Sequence, residues 1–215
     1  MACRYDCSTV SGRADGLREA ILAVRRGELV VLPTDTVYGI GADAFNPAAV
    51  DGLLQAKGRG RAMPSPVLVA SPDALPELVT DFPQAGWALV EAFWPGGLTL
   101  VARHRTSLTW DLGETHGTVA VRMPSDPVAL DLLAESGPMA VSSANLTGHP
   151  SPQDCDAAQH MLGDSVTVYL DGGPTAAAVA SSIVDLTGPV PILKRAGVIS
   201  AERLSTVVPD LQDGS

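Results

Sequence analysis

Hydrophobic residues recur along the chain at two spacings, one typical of helices and one typical of buried strands. An amphipathic helix is predicted by four residues at i, i+3, i+4 and i+7, namely Leu17, Ala20, Ile21 and Val24. Gly27 is placed to end that helix. The next run, 29–32, is continuously apolar and is stopped by Pro33, which is typical of a short buried strand.

The same alternation continues to the end of the chain. Asn46 and Pro47 are suited to the N-cap and first position of a helix that runs to Ala56. Further apolar runs predict strands at 67–70, 98–102, 118–121, 139–142, 166–170, 182–186 and 191–193. Helical spacing predicts helices at 84–93, 128–136, 154–162 and 201–207. Strands separated by helices indicate an α/β sheet with helices on its faces.

Two features refine this fold class. Between residues 170 and 193 the connections are too short for crossover helices, so we expect an open mixed sheet. No Pro/Gly/Ser-rich linker divides the 215 residues, so we expect a single catalytic domain over 1–215. Its motifs fall within about 13–208, and the tail at 210–215 is expected to be frayed.

Acidic residues outnumber basic ones, which narrows the classes of ligand. Asp and Glu total 24 against 14 Lys and Arg, giving a net charge of −10, while 46% of residues are hydrophobic. That hydrophobic content excludes a disordered chain. The negative charge disfavours non-specific nucleic-acid binding, which requires cations against phosphates. An acidic chain can still bind a nucleotide where it gathers its few cations.

The cysteine content and the lengths of the apolar runs indicate the cellular compartment of the protein. Cys3, Cys7 and Cys155 lack the second pair or histidine run that would complete a metal site, so we expect free thiols and no protein metal site. No stretch approaches the roughly 20 apolar residues of a membrane span, and the N-terminus lacks the apolar run of a signal peptide. We therefore expect a cytoplasmic protein with no membrane partner.

Polar clusters follow several predicted strands where each strand ends. They occupy 33–39, 122–124, 142–145, 171–173 and 194–197. Ligands of open α/β sheets bind outside strand ends, so the clusters together predict one composite site for a polar, anionic ligand. Ordinary turn chemistry explains any single cluster equally well.

The densest positive segment carries Lys57, Arg59 and Arg61 within five residues, separated by glycines that let the backbone approach a ligand. A solvated basic turn is the alternative.

No P-loop or G-x-S-x-G motif occurs. The segment 39–44 matches the dinucleotide-binding pattern G-x-G-x-x-A. The helix that follows it starts too late for that motif, and the basic segment stands where an acidic residue that binds the ribose is expected. A dinucleotide site is therefore rejected.

Nine short motifs occur in one order between residues 27 and 197. They are Pro-Thr-Asp-Thr-Val-Tyr-Gly at 33–39, Lys-x-Arg at 57–59, Trp-Pro-Gly-Gly-Leu-Thr at 94–99, Val-Ala-Val-Arg-Met-Pro at 119–124, Ser-Ala-Asn at 143–145, Pro-Ser-Pro at 150–152, Asp-Gly-Gly at 171–173, Ser-Ser-Ile-Val-Asp at 181–185 and Arg-x-Gly at 195–197. This ordered set resembles the YrdC/TsaC family of threonylcarbamoyl-AMP synthases, in its short single-domain form.

The resemblance implies a twisted open sheet with a large concave cavity and a specific reaction. L-Threonine, bicarbonate and ATP would become threonylcarbamoyl-AMP and pyrophosphate. Partner enzymes would then transfer the threonylcarbamoyl group to tRNA, with direct tRNA binding by this chain at most weak. The resemblance also implies Mg²⁺ carried with ATP and no tightly bound organic cofactor.

Site residues are carried over by motif position. The resemblance assigns catalysis to Lys57 and Arg59. It assigns threonine binding to Thr36, Leu68, Arg122, Val141 and Ser181. It assigns ATP binding to Arg59, Met63, Thr118, Ser143, Asn145, Ser151 and Arg195. Arginine pairs readily with carboxylates and phosphates, so the residue types suit these roles.

Two positions depart from the commoner family pattern, and two other functions stay open. Gly60 and Gly97 stand where the family often has proline, which predicts more flexible loops there. The long C-terminal extension of some relatives is not expected. The alternatives are an RNA-binding module of the same fold, which the net charge disfavours, and a paralogue with a different carbamoyl-type substrate.

Overall fold

The computed structural model describes residues 2–176 and 179–214. Its α-helices are α1 Val10–Arg25, α2 Pro47–Ala56, α3 Leu75–Leu78, α4 Gln84–Phe93, α5 Pro127–Ser136, α6 Cys155–Leu162 and α7 Ala201–Val207. Its strands are β1 Cys3–Asp6, β2 Val30–Leu32, β3 Gly39–Asp43, β4 Val67–Leu68, β5 Leu98–Arg103, β6 Thr118–Arg122, β7 Met139–Ser143, β8 Val168–Asp171, β9 Ser182–Asp185, β10 Ile192–Arg195 and β11 Gln212–Asp213.

All of these strands belong to one sheet. Their spatial order is β1-β8-β2-β3-β7-β4-β6-β5-β9-β10-β11. The sheet contains both parallel pairs, such as β5 with β9, and antiparallel pairs, such as β3 with β7. The predicted open mixed α/β sheet is therefore confirmed.

Local sequence accounts for where the helices begin. The Asn46 side chain accepts a hydrogen bond from the backbone N–H of Ala49, and Pro47 occupies the first helical position, as predicted. Asp126 and Asp154 cap α5 and α6 in the same way. The first helix starts earlier than the apolar spacing indicated because Thr9 caps it through the N–H of Gly12.

Two parts of the sheet are covered differently. At β2, Val30 and Leu32 pack under α1 and α5, whereas Val31 faces α2 and α6, so this part is covered on both faces. At β5, Leu98 and Leu100 pack into a core that includes residues of α3, α4 and α7. The opposite face of β5 borders a cavity, which places the functional site.

Four elements were not predicted, and each has a physical reason. Strand β3 is glycine-rich because a Cβ at Gly39 would lie 2.6 Å from Val141 Cγ1, leaving no room for a side chain. Strand β1 is mostly exposed and shows no apolar run, and α3 is a single short turn. The prediction of a frayed tail is wrong for Gln212–Asp213, which pairs in parallel with β10 as strand β11.

Candidate functional site

A cavity of about 320 Å³ lies against the sheet face opposite α4 and α7. Successive strands contribute alternate residues to its wall, because side chains two apart on a strand share a face. These wall residues include Thr99 and Val101, Ala120 and Arg122, Val141 and Ser143, and Ser181 and Ile183. The other lining residues come from strand ends and loops, and they are Thr34, Thr36, Val37, Tyr38, Gly39, Arg59, Pro64, Pro66, Leu68, Ser142, Ser151, Ala180 and Arg195. The intervening residues of β5 and β6 are buried in the core.

The charge of the lining contrasts with the charge of the chain. Arg59, Arg122 and Arg195 line the cavity, and no Asp, Glu or His does so among the residues described. Burial lowers the pKa of each of the three guanidinium groups, and the nearby charge of Arg195 contributes to the effect on Arg122. Guanidinium groups stay protonated in proteins. The cavity therefore presents concentrated positive charge suited to an anionic ligand.

Arg122 is held in one orientation by three partners. Its Nε donates to the carbonyl oxygen of Gly96 at 2.9 Å, and its Nη2 donates to Oδ1 of Asp35 at 2.7 Å. Its Nη1 donates to Oγ1 of Thr36 at 2.9 Å. Each terminal nitrogen carries a second N–H, so a fork of two donors remains for a carboxylate.

The turn before β3 holds Thr36 in this arrangement. The Thr34 hydroxyl accepts from the backbone N–H of Thr36 at 3.2 Å and donates to the carbonyl oxygen of Val37 at 2.7 Å. Thr34 and Thr36 are both buried. Thr34 and Asp35 belong to the motif at 33–39 but were not predicted as site residues, and their contacts identify them as supports for Thr36 and Arg122.

A second hydroxyl group lies across the cavity on β5 and the start of β9. The Oγ atoms of Thr99 and Ser181 are 2.8 Å apart. Arg195 donates from Nη2 to Oγ of Ser181 at 3.1 Å and from Nε to its carbonyl oxygen at 2.9 Å. Thr99 was not predicted as a site residue; the structure shows that it shares a strand face with Val101, which also lines the cavity.

Arg59 reaches the cavity from the segment after α2. Its Nη1 donates to Oγ of Ser142 at 2.8 Å. Its Nε is buried and has no hydrogen-bond partner within the protein. A buried guanidinium nitrogen without a partner is costly in a folded chain. Arg59 is thus prepared for an acceptor supplied by a ligand.

Tyr38 is hydrogen-bonded to three other segments of the chain near the cavity. Its backbone N–H donates to the carbonyl oxygen of Pro152 at 3.0 Å, and its own carbonyl oxygen accepts from Ala144 at 2.8 Å. Its hydroxyl donates to the carbonyl oxygen of Gly173 at 2.6 Å and accepts from the N–H of Gly172 at 3.0 Å. The two backbone bonds hold Ala144 and Pro152, the residues that directly follow Ser143 and Ser151.

The predicted site residues fall into two groups by position. Those in the cavity lining are Thr36, Arg59, Leu68, Arg122, Val141, Ser143, Ser151, Ser181 and Arg195. The other four lie outside the described lining. Lys57 and Asn145 are buried beside it, Met63 is 43% exposed, and Thr118 begins β6 two residues before Ala120.

Metal-binding side chains do not gather in the described residues. No group of three or more His, Cys, Asp or Glu is placed to hold a metal ion within residues 2–176 and 179–214. In the same ranges, no helix has both the length and the apolar character needed to cross a membrane.

Comparison with known sequences gives consistent matches. The Sua5/YciO/YrdC family model, described as "Telomere recombination", matches residues 22–197. A putative threonylcarbamoyl-AMP synthase of Mycobacterium tuberculosis is 53% identical over 204 residues, which cover 95% of this chain and 94% of that protein. The threonylcarbamoyl-AMP synthase of Bacillus subtilis is 38% identical over 89% of this chain, which spans 56% of the relative.

Solved structures agree with the fold described above. Pyrococcus abyssi Sua5 complexed with L-threonine superposes with a TM-score of 0.91 at 34% identity, covering 99% of this chain and 62% of the Sua5 chain. Escherichia coli YciO superposes with a TM-score of 0.83 at 21% identity, a level that supports the fold alone.

Proposed function

The chain belongs to the Sua5/YrdC family, and on that premise we propose that it is a threonylcarbamoyl-AMP synthase that uses L-threonine, bicarbonate and ATP. Homologues with that name cover most of the chain, and a related Sua5 protein is described in complex with L-threonine. The product would supply the threonylcarbamoyl group to enzymes that modify tRNA.

The charge of the cavity is the observation that carries this proposal. Three arginines line it without an acidic residue in the described lining, on a chain of net charge −10. A carboxylate and a triphosphate together match such a lining, because each oxygen group can receive a charge-assisted hydrogen bond. Arg122 has Asp35 as a counter-charge, whereas a neutral ligand would leave the guanidinium groups of Arg59 and Arg195 without one among the described residues.

The two ends of the cavity suit the two substrates. Arg122, fixed by Asp35 and Thr36, offers a fork that fits the carboxylate of an amino acid. The hydroxyl pair Thr99 and Ser181 can form hydrogen bonds with the amino acid's polar groups. Arg59, with its unpartnered Nε, and Arg195 can neutralise the phosphates.

The reaction has two balanced steps. The threonine amine and bicarbonate condense to a carbamate with release of water. A carbamate oxygen then forms a bond to the α-phosphorus of ATP, and the bond from that phosphorus to the bridging oxygen breaks to release pyrophosphate. Both reactants in the second step are anionic, so positioning and charge neutralisation should dominate catalysis. Arg59 and Arg195 would lower the barrier by holding the phosphate oxygens.

Mg²⁺ and the cellular setting are further parts of the proposal. ATP would carry Mg²⁺ on its own phosphates, which supplies additional charge neutralisation during pyrophosphate release. No tightly bound organic cofactor is needed for the two steps. ATP supply and tRNA modification would place the reaction in the cytoplasm.

The test is pyrophosphate release by the purified chain. We expect release that requires threonine, bicarbonate and ATP together, and that falls when serine or valine replaces threonine. Absence of release under these conditions contradicts the proposal. Strongly salt-sensitive tRNA binding without pyrophosphate release would instead favour the RNA-binding module. Release that is equal with another amino acid would favour the paralogue.

A further inference from the structure

Lys57 uses its side-chain ammonium to bind backbone rather than an acidic partner. It lies at the C-terminal end of α2 and is 3% exposed. Its Nζ donates to the carbonyl oxygens of Ser143 and Asn145, which are 86 and 88 residues away in the chain. Two of its three N–H groups therefore hold one short segment, which starts at the last residue of β7.

The same segment is tied back to Lys57 and to the cavity wall. The backbone N–H of Thr147 donates to the carbonyl oxygen of Lys57 at 3.0 Å, and the N–H of Ala144 donates to Tyr38 at 2.8 Å. Ser143 lines the cavity, whereas Lys57 lies outside the described lining. Displacing the Lys57 amine would therefore also displace Ser143 in the cavity wall, because the two are joined through this segment.

The cost of burying this ammonium indicates that its position has a function. Within the described residues, no ion pair of Lys57 with Asp or Glu is found. Burial, with a smaller contribution from the charge of Arg59, lowers the pKa of Lys57 to about 8. A buried charge is retained only where hydrogen bonds compensate for lost water, and here the compensation comes from two carbonyl oxygens.

We propose that Lys57 is a positioning residue that sets Ser143 and Asn145 for the nucleotide, while direct contact with phosphate belongs to Arg59. The inference rests on the proposed function, since it takes the nucleotide to be ATP. It gives Lys57 a different task from the catalytic role predicted by family resemblance. The amide of Asn145 supports the assignment: its Nδ2 donates to Leu146 and His149, which orients its buried, unpartnered Oδ1.

The first test measures backbone hydrogen exchange without any ligand. Lys57→Met removes both N–H donors and keeps an unbranched side chain of similar length. We expect the amides of Ala144 and Thr147 to exchange about tenfold faster in this variant, because their segment loses two anchors. Arg61→Met is the matched control, because the Arg61 side chain is exposed and pairs with Asp111, and it should leave both amides at the wild-type rate. Unchanged exchange in Lys57→Met overturns the proposal.

The second test asks whether Lys57 acts on the nucleotide through Ser143. Calorimetric titration with ATP should show about tenfold weaker binding for Lys57→Met, and Ser143→Ala should also weaken binding. In the double variant, the combined fold-loss of ATP affinity should be smaller than the product of the two single-variant losses, because both substitutions act through one segment. Losses that multiply indicate an independent phosphate contact and overturn the positioning role. Unchanged ATP affinity in Lys57→Met also overturns it.

Two controls keep the outcome interpretable. Lys57→Gln retains an amide donor without the charge, and it replaces Lys57→Met if that variant does not fold. Amide exchange rates and ATP affinity that lie between those of wild type and those expected for Lys57→Met support the positioning role. Wild-type exchange rates in Lys57→Gln contradict it. Lys194→Met changes the chain's other lysine, which is exposed, and should leave ATP affinity unchanged. If wild-type protein binds ATP but releases no pyrophosphate, the proposed function fails while these binding and exchange results still decide the role of Lys57.

Discussion

Asp35 and Arg122 form an ion pair of 2.7 Å in which both side chains are largely removed from solvent. The partners come from the turn after β2 and the end of β6, which are separated by several strands in the sheet. Asp35 also accepts from the backbone N–H of Ser125 at 2.9 Å, so it connects Arg122 to the loop that follows it. The pair leaves Arg122 with a fixed direction into the cavity.

Removing the charge of Asp35 should weaken threonine use selectively. Asp35→Asn keeps the shape but leaves the buried guanidinium without its counter-charge, so we expect the KM for threonine to rise about tenfold or more. The KM for ATP should change far less. Asp111→Asn is the matched control, because Asp111 pairs with the exposed Arg61 and exposed ion pairs contribute little. An equal rise in both KM values would contradict the assignment of Arg122 to threonine.

Replacing Arg59 should impair ATP use. Arg59→Met removes the half-buried guanidinium that faces the cavity, and we expect kcat/KM for ATP to fall about a hundredfold because phosphate oxygens lose a charged donor. Steady-state kinetics with varied ATP measures this. Arg61→Met, two residues along the same segment, should stay near wild type, since Arg61 lies outside the described lining. Full activity of Arg59→Met would remove Arg59 from the site.

Gly97 and Val198 should behave as a coupled pair. A Cβ added to Gly97 would lie 2.2 Å from Cγ1 of Val198 and 3.4 Å from Cγ2 of Thr36. Gly97→Ala should therefore lower the free energy of unfolding by about 1–3 kcal/mol through overpacking. Val198→Ala removes the obstructing methyl group and should restore much of that loss in the double variant. Additive losses in denaturant unfolding would contradict the coupling.

The Tyr38 hydroxyl should contribute to both stability and threonine binding. Tyr38→Phe leaves the N–H of Gly172 and the carbonyl oxygen of Gly173 without their partner, at a cost of about 1–2 kcal/mol. It should also raise the KM for threonine, because Tyr38 lines the cavity two residues after Thr36, and its hydroxyl bonds to Gly172 and Gly173 hold it there.

Tyr169→Phe provides the control for this change. Tyr169 is equally buried, and its hydroxyl donates to Gly163 at 2.7 Å, outside the cavity lining. We expect a similar loss of stability in this variant with an unchanged KM for threonine. A raised KM in both variants would indicate that Tyr38 acts through general destabilisation.

Lys57 should give a recognisable pH dependence of stability. Its pKa of about 8 in the folded chain lies below the usual lysine value of 10.5, so the unfolded chain binds the proton more strongly. Stability should therefore rise as pH increases between about 8 and 10.5, by about 1–3 kcal/mol from this group. Urea unfolding of wild type and Lys57→Met at pH 7 and pH 10 isolates the contribution. Identical pH slopes would contradict the lowered pKa.

The elements that could be predicted from the sequence are those whose buried positions form a recognisable hydrophobic pattern within a short segment. The helix at 84–93 and the helix at 201–207 have the predicted bounds, and the strand predicted at 118–121 extends by one residue. Strand β3 could not be found in this way. Its glycines are needed because β7 approaches it closely, and that approach is a tertiary contact.

The candidate site shows the same division. Motif order brought Thr36, Arg122, Ser181 and Arg195 into one predicted site, and the structure places all four in one cavity lining. The task of Lys57 could not be read from Lys-x-Arg, since its partners lie 86 and 88 residues away. Thr99 was missed because an alternating strand face becomes informative only once its covered side is known.

Where the sheet has helices on one face only, the two faces of a strand are under different constraints. On β5 and β6 the core-facing residues are constrained by packing, while Thr99, Val101 and Ala120 on the other face are constrained by the ligand that fills the cavity. Substitutions on that second face can therefore alter the preferred amino acid with little loss of folding free energy. The architecture lets substrate choice evolve along one side of a strand while the other side keeps the protein folded.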